Sequence, residues 1–519
     1  MTFVCLHGDR IVATRGVHHR EERDARYASQ VVSDRLSNRT LRHLPSGIRQ
    51  PGYHRQSVAA GIVHLGVGAF HRAHQAVYID DCLGAGEPDW AVVGASLRSP
   101  DTRDALAPQD GLYTLSVKDG DREDLRVVGS IVSTLVAPEE PAALLAAMID
   151  PAVRIVTSTV TEKAYMRDAG GDLDLDHPDV RWDLENPGRP KTVHGFLAAA
   201  LAGRRQAGSK PFTVLCCDNL PANGATLRRL LLRFLEAGQP DLAAYVEDSV
   251  PFPSTMVDRI VPATTDADRA RISMMLGVED AWPVTTEPFC QWVVEDDFVD
   301  GRPDWERFGV EMVRDVRPFE DMKLRLLNGS HSAIAYLGLL AGHQTVAESF
   351  GDPVIRNFVA GLWGEAIPTL PARAGLDAGA YTRKLTARYD NTALRHRTAQ
   401  IATDGSQKLP QRIIATAIEQ GRGGGKIDHL ALVPAAWIAA CEARASNPAT
   451  FAFTDPLDTE LRKIVALRQP ASTTVSQVFD AAGFAKGSAS RQALIARTAG
   501  HLEALRSQGL AAALAGISA

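Results

Sequence analysis

The stretch GIVHLGVGAFH, residues 61–71, decides how the rest of the chain is read. A short apolar run at 61–65 ends in Gly66-Val67-Gly68-Ala69-Phe70. Residues 71–83 then carry apolar side chains at helical spacing (Ala73, Val77, Ile79, Cys82) up to the stop signal Gly84-Ala85-Gly86. A strand that turns through glycines into a helix is the arrangement that binds a dinucleotide. The glycines let the backbone approach the pyrophosphate, and the helix N-terminus attracts its charge. His71 stands where the usual fingerprint has its third glycine, so the turn is a weak signal by itself. His71 and His74 read as structural or pyrophosphate-adjacent groups rather than catalytic ones.

Working outward, apolar runs at 90–95, 131–136, 154–160 and 212–217 are further strands, with helical patterns at 141–148 and 194–204. Strands alternating with helices predict a mostly parallel sheet covered on both faces. Beyond about residue 300 the pattern becomes helical: 322–340, 353–363, 409–420, 430–445 and 491–514, rich in Ala and Leu. The fold expected is α/β: a Rossmann-like doubly wound domain at 58–290, then a mostly α-helical domain at 291–519. Residues 1–57, rich in Arg and His, form an N-terminal extension. Past the second strand lie Arg98 and Asp101. A carboxylate there would hold the adenosine ribose and a guanidinium a 2′-phosphate, so these residues give no firm choice between NAD and NADP.

The chain has 519 residues, 45% hydrophobic and 23% charged, with a formal net charge of −6. That balance argues against a nucleic-acid or anionic-membrane partner, which would need a basic face. The first ten residues lack the apolar core of a signal peptide, and no stretch has the roughly 20 apolar residues of a membrane span. Six cysteines show neither metal-ligand spacing nor a disulfide framework, which suits a cytoplasmic protein. Oligomeric state is not legible here.

The segment Lys323-Leu-Arg-Leu-Leu-Asn328-Gly-Ser-His331 carries the chemistry. On an ideal α-helix five steps put Asn328 about 140° from Lys323, and eight steps put His331 about 80° away. The three polar groups then share one broad face with Leu324 and Leu327. A lysine buried there beside an amide and an imidazole can serve as a general base once its pKa falls. The bland alternative is a solvated helix-surface lysine.

At this point the chain resembles the long-chain polyol dehydrogenases typified by mannitol 2-dehydrogenase and fructuronate reductase. The shared segments are IVHLGVGAFHRAHQ (62–75), TSTVTEKAY (157–165), CCDNLPANG (216–224), STMVDRIVP (254–262), DAWPVTTEPFCQWVVEDDFVDGRPDWE (280–306) and MKLRLLNGSH (322–331). The resemblance implies a zinc-independent, NAD-dependent oxidoreductase that interconverts a secondary alcohol and a 2-ketone on an open-chain sugar derivative. It implies Lys323 as general base, and Asn219 and Asn328 as the pair holding the reacting oxygen. His331 would be a substrate-hydroxyl ligand, Asp258 a polar substrate contact, and Glu320 a proton relay. Thr161 and Glu162 join Gly66–Phe70 at the cofactor. An internal Asp258–Arg259 ion pair and a solvated Glu320 are the plain alternatives.

One departure bears on the substrate. Mannitol-type members carry an Arg eight residues before a substrate-facing Lys; here the lysine is Lys408, but the Arg position is Gln400. Lys408, with Arg397 near it, could instead bind a C1 carboxylate. Two pairs therefore stand as expectations, D-mannitol/D-fructose and D-mannonate/D-fructuronate. A phospho-polyol dehydrogenase and a catalytically idle sugar- or nucleotide-binding protein are the alternatives.

Overall fold

The computed structural model describes residues 34–168, 170–371 and 376–518. In chain order the strands are β1 (Ala60–Leu65), β2 (Ala91–Ser96), β3 (Tyr113–Asp119), β4 (Arg122–Val128), β5 (Ile131–Val136), β6 (Ile155–Ser158), β7 (Thr213–Cys216), β8 (Thr255–Asp258), β9 (Val284–Thr286), β10 (Gln291–Glu295) and β11 (Glu311–Val313). The five apolar runs read from the sequence are the five strands of one parallel sheet, ordered β5-β2-β1-β6-β7. Every residue of β6 and β7 is buried, as a sheet with helices on both faces requires. Strand order reverses between β1 and β6. The crevice at the carboxyl ends of those two strands is where such sheets bind ligands.

The other strands were not legible. The β3–β4 hairpin lacks clean apolar alternation, and β9 and the strands of the β8–β10–β11 sheet are short. Trp292 and Trp305 from this later region are fully buried in the same core as Ile62 and Val92. Residues 291–313 thus pack with the first domain rather than the second, and we place the domain boundary near residue 315. Of the expected N-terminal extension, residues 1–33 lie outside the described residues. Further on, Leu36 packs with Leu112 and Ile272, and Arg55 donates to the carbonyls of Gly129 (2.9 Å) and Ile131 (2.9 Å).

The helix expected at 71–83 is broken. It runs Ala69–Ala73 and then Gln75–Gly84, because His74 leaves helical geometry to place Nε2 2.8 Å from the Gln291 carbonyl. From Arg317 the chain is helical, around a core holding Tyr336, Phe350, Tyr389 and Trp437.

The expected helix at 322–340 is not uniformly α. Between Arg317–Met322 and Gly329–Ala341 it widens into a π-helical turn, Lys323–Asn328. The Leu326 carbonyl accepts from Trp363 Nε1 (3.1 Å) and Ser330 Oγ, and the Leu327 carbonyl accepts from Tyr389 OH (3.2 Å). These side chains satisfy carbonyls that a π turn removes from the α ladder. The ideal-helix angle of 140° therefore does not apply. With i→i+5 bonding, Asn328 sits nearly one full turn above Lys323, so base and amide lie on the same side.

Candidate active site

Gly66 adopts φ +92°, and a Cβ there would lie 2.2 Å from the Thr159 carbonyl oxygen. The β1 and β6 turns approach each other that closely at the switch point, so only glycine fits. Above Gly68 there is room: its nearest neighbour would be the Gly66 carbonyl at 3.8 Å. A tight turn under open space suits a pyrophosphate. Beneath it, His64 and His71 stack at 3.4 Å, and His64 Nδ1 lies 2.6 Å from Thr157 Oγ1. Burial holds both imidazoles neutral, His64 down to about 3, which makes them props for the turn. We expect Gly66→Ala to cost at least about 1–3 kcal/mol through backbone strain. It should also weaken NADH binding at least tenfold, read by fluorescence titration. Wild-type affinity would show that this turn is not the cofactor cradle.

On the other side of the crevice, Thr161 is held at φ +78°, ψ 152°, a region costly for any residue but glycine. Asp218 secures it: its carboxylate accepts from the Val160 amide (3.0 Å), the Thr161 amide (2.9 Å) and Tyr165 OH (2.6 Å). Phe70, Thr159, Thr161, Glu162, Cys217, Asp218, Asn219 and Val257 line a cavity of about 500 Å³. Arg98 and Asp101 are exposed at the end of β2, and Asp101 accepts from Ser99 Oγ at 2.9 Å.

A second cavity, about 160 Å³, shares Asp218, Asn219 and Val257 with the first and adds Glu320, Lys323, Leu324, Asn328 and Gln411. Lys323 Nζ reaches across from the helical domain to donate to Asn219 Oδ1 (2.8 Å) and the Val257 carbonyl (2.5 Å). A neutral amine has two N–H bonds and one lone pair. With both N–H bonds used, the lone pair is left for a ligand in the cavity. Burial lowers the Lys323 pKa, with Arg388 and Arg412 adding to the effect and Asp258 opposing it. Glu320 shares the cavity, and burial raises its carboxyl to about 7.

The structure thus brings together Lys323, Asn219, Asn328 and Glu320, beside the turn carrying Thr161 and Glu162. His331 stands behind them and lines neither cavity; it is buried, held neutral, and its Nε2 has no partner. Asp258 is also behind. The ion pair with Arg259 is not formed, because Arg259 donates to the Ala73 and Glu287 carbonyls. Asp258 is gripped instead by Arg388 Nη1 (2.7 Å) and Nη2 (3.0 Å), so both its oxygens already have partners. Lys408 Nζ donates to the Thr403 carbonyl at 2.6 Å, half-buried. Arg397 is exposed and lines neither cavity; its backbone bridges Thr345 just before the helix Thr398–Ala402. Sequence reasoning missed Arg388, Arg412, Gln411 and Asp218. Only Asp218, next to Asn219 in a shared segment, left a signal.

A doubly wound sheet with a glycine cradle at its switch point, opening onto a lysine held by an amide, defines a nicotinamide-dependent dehydrogenase of CH–OH groups. Residues 60–307 match the mannitol dehydrogenase Rossmann domain, and residues 315–506 match the mannitol dehydrogenase C-terminal domain. The chain therefore belongs to the mannitol dehydrogenase family. It is 43% identical over 431 residues to the D-mannonate oxidoreductase of Escherichia coli K12, covering 82% of this chain and 88% of that one. It is 41% identical over 464 residues to the mannitol 2-dehydrogenase of Pyrenophora tritici-repentis, covering 88% and 82%. Among solved structures, the Pseudomonas fluorescens mannitol 2-dehydrogenase ternary complex with NAD and D-mannitol matches with TM-score 0.83 at 36% identity, covering 93% of this chain and 99% of that one.

Proposed function

We propose that this protein oxidises a secondary alcohol of an open-chain polyol or aldonate to the ketone (C2 of D-mannitol, C5 of D-mannonate), reversibly, with NAD as oxidant and no metal. The substrate pairs are D-mannitol/D-fructose and D-mannonate/D-fructuronate. The observation that carries this reading is the Lys323 amine, held by Asn219 and Val257 where the two cavities join. NAD, when bound, supplies the two-electron oxidising equivalent. Gly66, Gly68, Ala69 and Phe70 would hold its pyrophosphate side, Asp101 the adenosine ribose, and Thr161 the nicotinamide side.

Lys323 takes the proton of the reacting hydroxyl on its lone pair. The amides of Asn328 and Asn219 hold the oxygen as charge develops, donors already in place before the reaction. Asn219 has a second task, since its Oδ1 fixes the lysine. Glu320 receives the proton and passes it to solvent. The desolvated amine draws off the hydroxyl proton as a general base. No group of three His, Cys, Asp or Glu among the described residues could hold a metal ion. Nor is any helix among them long and apolar enough to cross a membrane.

The test is a panel of D-mannitol, D-mannonate, D-arabinitol and D-mannitol 1-phosphate assayed with NAD and with NADP by reduced-cofactor absorbance. We expect turnover of mannitol or mannonate, with kcat/KM at least tenfold higher for NAD, about 1.4 kcal/mol. No turnover of any substrate would overturn the reading in favour of an idle binding protein. A tenfold preference for NADP would overturn the role of Asp101.

A further inference from the structure

Asp218, Asn219 and Val257 line both the cofactor-side cavity and the cavity of the base, and of the three only Asp218 carries a charge. It stands just past β7, half-buried, with no Lys, Arg or His at ion-pair distance among the described residues. Its partners are neutral: the Val160 amide (3.0 Å), the Thr161 amide (2.9 Å) and Tyr165 OH (2.6 Å). Ser158 Oγ (3.0 Å) and Cys216 Sγ (3.1 Å) can donate to the phenol oxygen, which leaves the Tyr165 proton for Asp218. All three bonds call for an acceptor, so they fit the ionised carboxyl; burial raises its pKa, and these donors oppose the rise. Asp183 and Asp280 are also held by neutral donors, but neither lines these cavities. Glu162 and Lys163, on the cofactor cavity, are exposed and opposite in sign. Lys323 donates to Asn219 rather than to this carboxylate.

An alcohol that meets Lys323 lies in one cavity and the cofactor in the other, so the nicotinamide belongs at the wall they share. Oxidation breaks the C–H bond of the alcohol carbon and moves its hydride, a proton with two electrons, to the ring. The hydroxyl proton goes to Lys323. The ring thereby passes from one positive charge to none, while the pyrophosphate and both riboses are the same in either form. A fixed charge at the wall therefore tells the two forms apart by the ring alone. We propose that Asp218 is that charge: it makes the site hold the oxidised nicotinamide in preference to the reduced one, and so sets the oxidation–reduction balance of the bound cofactor. The proposal rests on the nicotinamide reading of the site and adds to it a residue that bonds neither base nor substrate. With the cofactor seated, the attraction acts across the wall rather than through bulk solvent, where it would be more strongly screened. By the thermodynamic cycle, the ratio of the two affinities is the factor by which binding shifts the cofactor's own equilibrium.

The experiment titrates oxidised NAD, NADH and ADP-ribose calorimetrically into the free enzyme, as wild type, Asp218→Asn, Asp218→Ser and Tyr165→Phe. ADP-ribose is the cofactor without its ring, so it reports damage to the cradle alone. We expect Asp218→Asn to weaken NAD relative to NADH by at least about fivefold, the size of effect one charge exerts across several ångströms at intermediate dielectric. ADP-ribose affinity should follow NADH rather than NAD. A shift of the Thr161 turn would weaken both forms together, so the ratio carries the test and neither affinity does so alone. Tyr165→Phe removes a donor but keeps the charge, and its ratio should stay within about twofold of wild type. An unchanged ratio in a folded Asp218→Asn, however far both affinities fall, would overturn the proposal and leave Asp218 a prop for the turn, while continued binding of NAD kept the dehydrogenase reading intact. A ratio that moves as far in Tyr165→Phe would also overturn it, because geometry rather than charge would then set the preference. If Asp218→Asn does not fold, Asp218→Ser, whose hydroxyl can accept from one turn amide, is read in the same way. Wild type that bound neither form would overturn the nicotinamide reading and this proposal with it.

Discussion

Lys323→Ala is expected to lower kcat for polyol or aldonate oxidation by at least roughly a hundredfold, the size of effect a positioned general base supplies. NADH affinity should stay close to wild type, because the glycine cradle at Gly66 is built from β1 and β6 and owes nothing to the lysine. The wild-type pH profile tells the base apart from a merely structural lysine. The lowered Lys323 pKa means the amine becomes free at a pH below the ordinary lysine value of about 10.4, so oxidation should rise with pH through an ionisation below that. Glu320, raised to about 7 by burial, adds its own step: it accepts a proton only once ionised, above that value. Glu320→Gln should flatten the limb near pH 7. It also removes an acidic neighbour that raises the lysine's pKa, so the remaining ionisation should move to lower pH. Near-native turnover in Lys323→Ala with an unchanged profile would refute the mechanism.

The parallel sheet was legible because β1, β6 and β7 are buried on both faces. Val and Ile then crowd into runs such as 62–65 and 155–156, bounded by glycine or a polar turn. The β3–β4 hairpin was not, since Lys118, Arg122, Glu123 and Asp124 break its apolar alternation. In the site, Lys323, Asn328 and Asn219 came from contiguous motifs, and the cavity gathers all three. Their relation did not come from helical arithmetic, because the π turn depends on Trp363 and Tyr389, residues far along the chain that take up the freed carbonyls. Asp258 shows the same limit. Its neighbour in sequence is Arg259, yet its partner, Arg388, lies 130 residues away, and no local pattern announces it. Arg412 was overlooked because a lone arginine in a helical segment is usually solvated.

Arg388→Met is expected to be among the most destabilising single changes in the chain, by about 3–5 kcal/mol, the cost of removing one partner from a buried ion cluster. The guanidinium, on the helix Ala378–Tyr389, bridges Asp258 at the end of β8 and Glu287 just after β9, so it bolts the helical domain to the sheet domain beside the active site. All three side chains are at most 5% exposed. Burial alone would push Asp258 up, but Arg388 overrides it and holds this carboxyl below its usual range, whereas Glu287 stays raised by its burial. For Asp258 the sign follows directly. A depressed native pKa gives stability that is present above the unfolded value of about 3.9 and is lost as pH falls through the native one. At neutral pH Arg388→Met therefore strands two carboxylates near each other, and one must take up a proton or draw in water. Urea denaturation at pH 7 reads the loss, and Asp258→Asn added to Arg388→Met should restore part of it, because the uncompensated charge is gone. The base responds too. Asp258 raises the Lys323 pKa and Arg388 lowers it, so the single variant should shift the oxidation profile to higher pH while the double variant shifts it back. Stability within about 1 kcal/mol of wild type, with an unmoved profile, would show that the cluster neither joins the domains nor sets the field at the lysine.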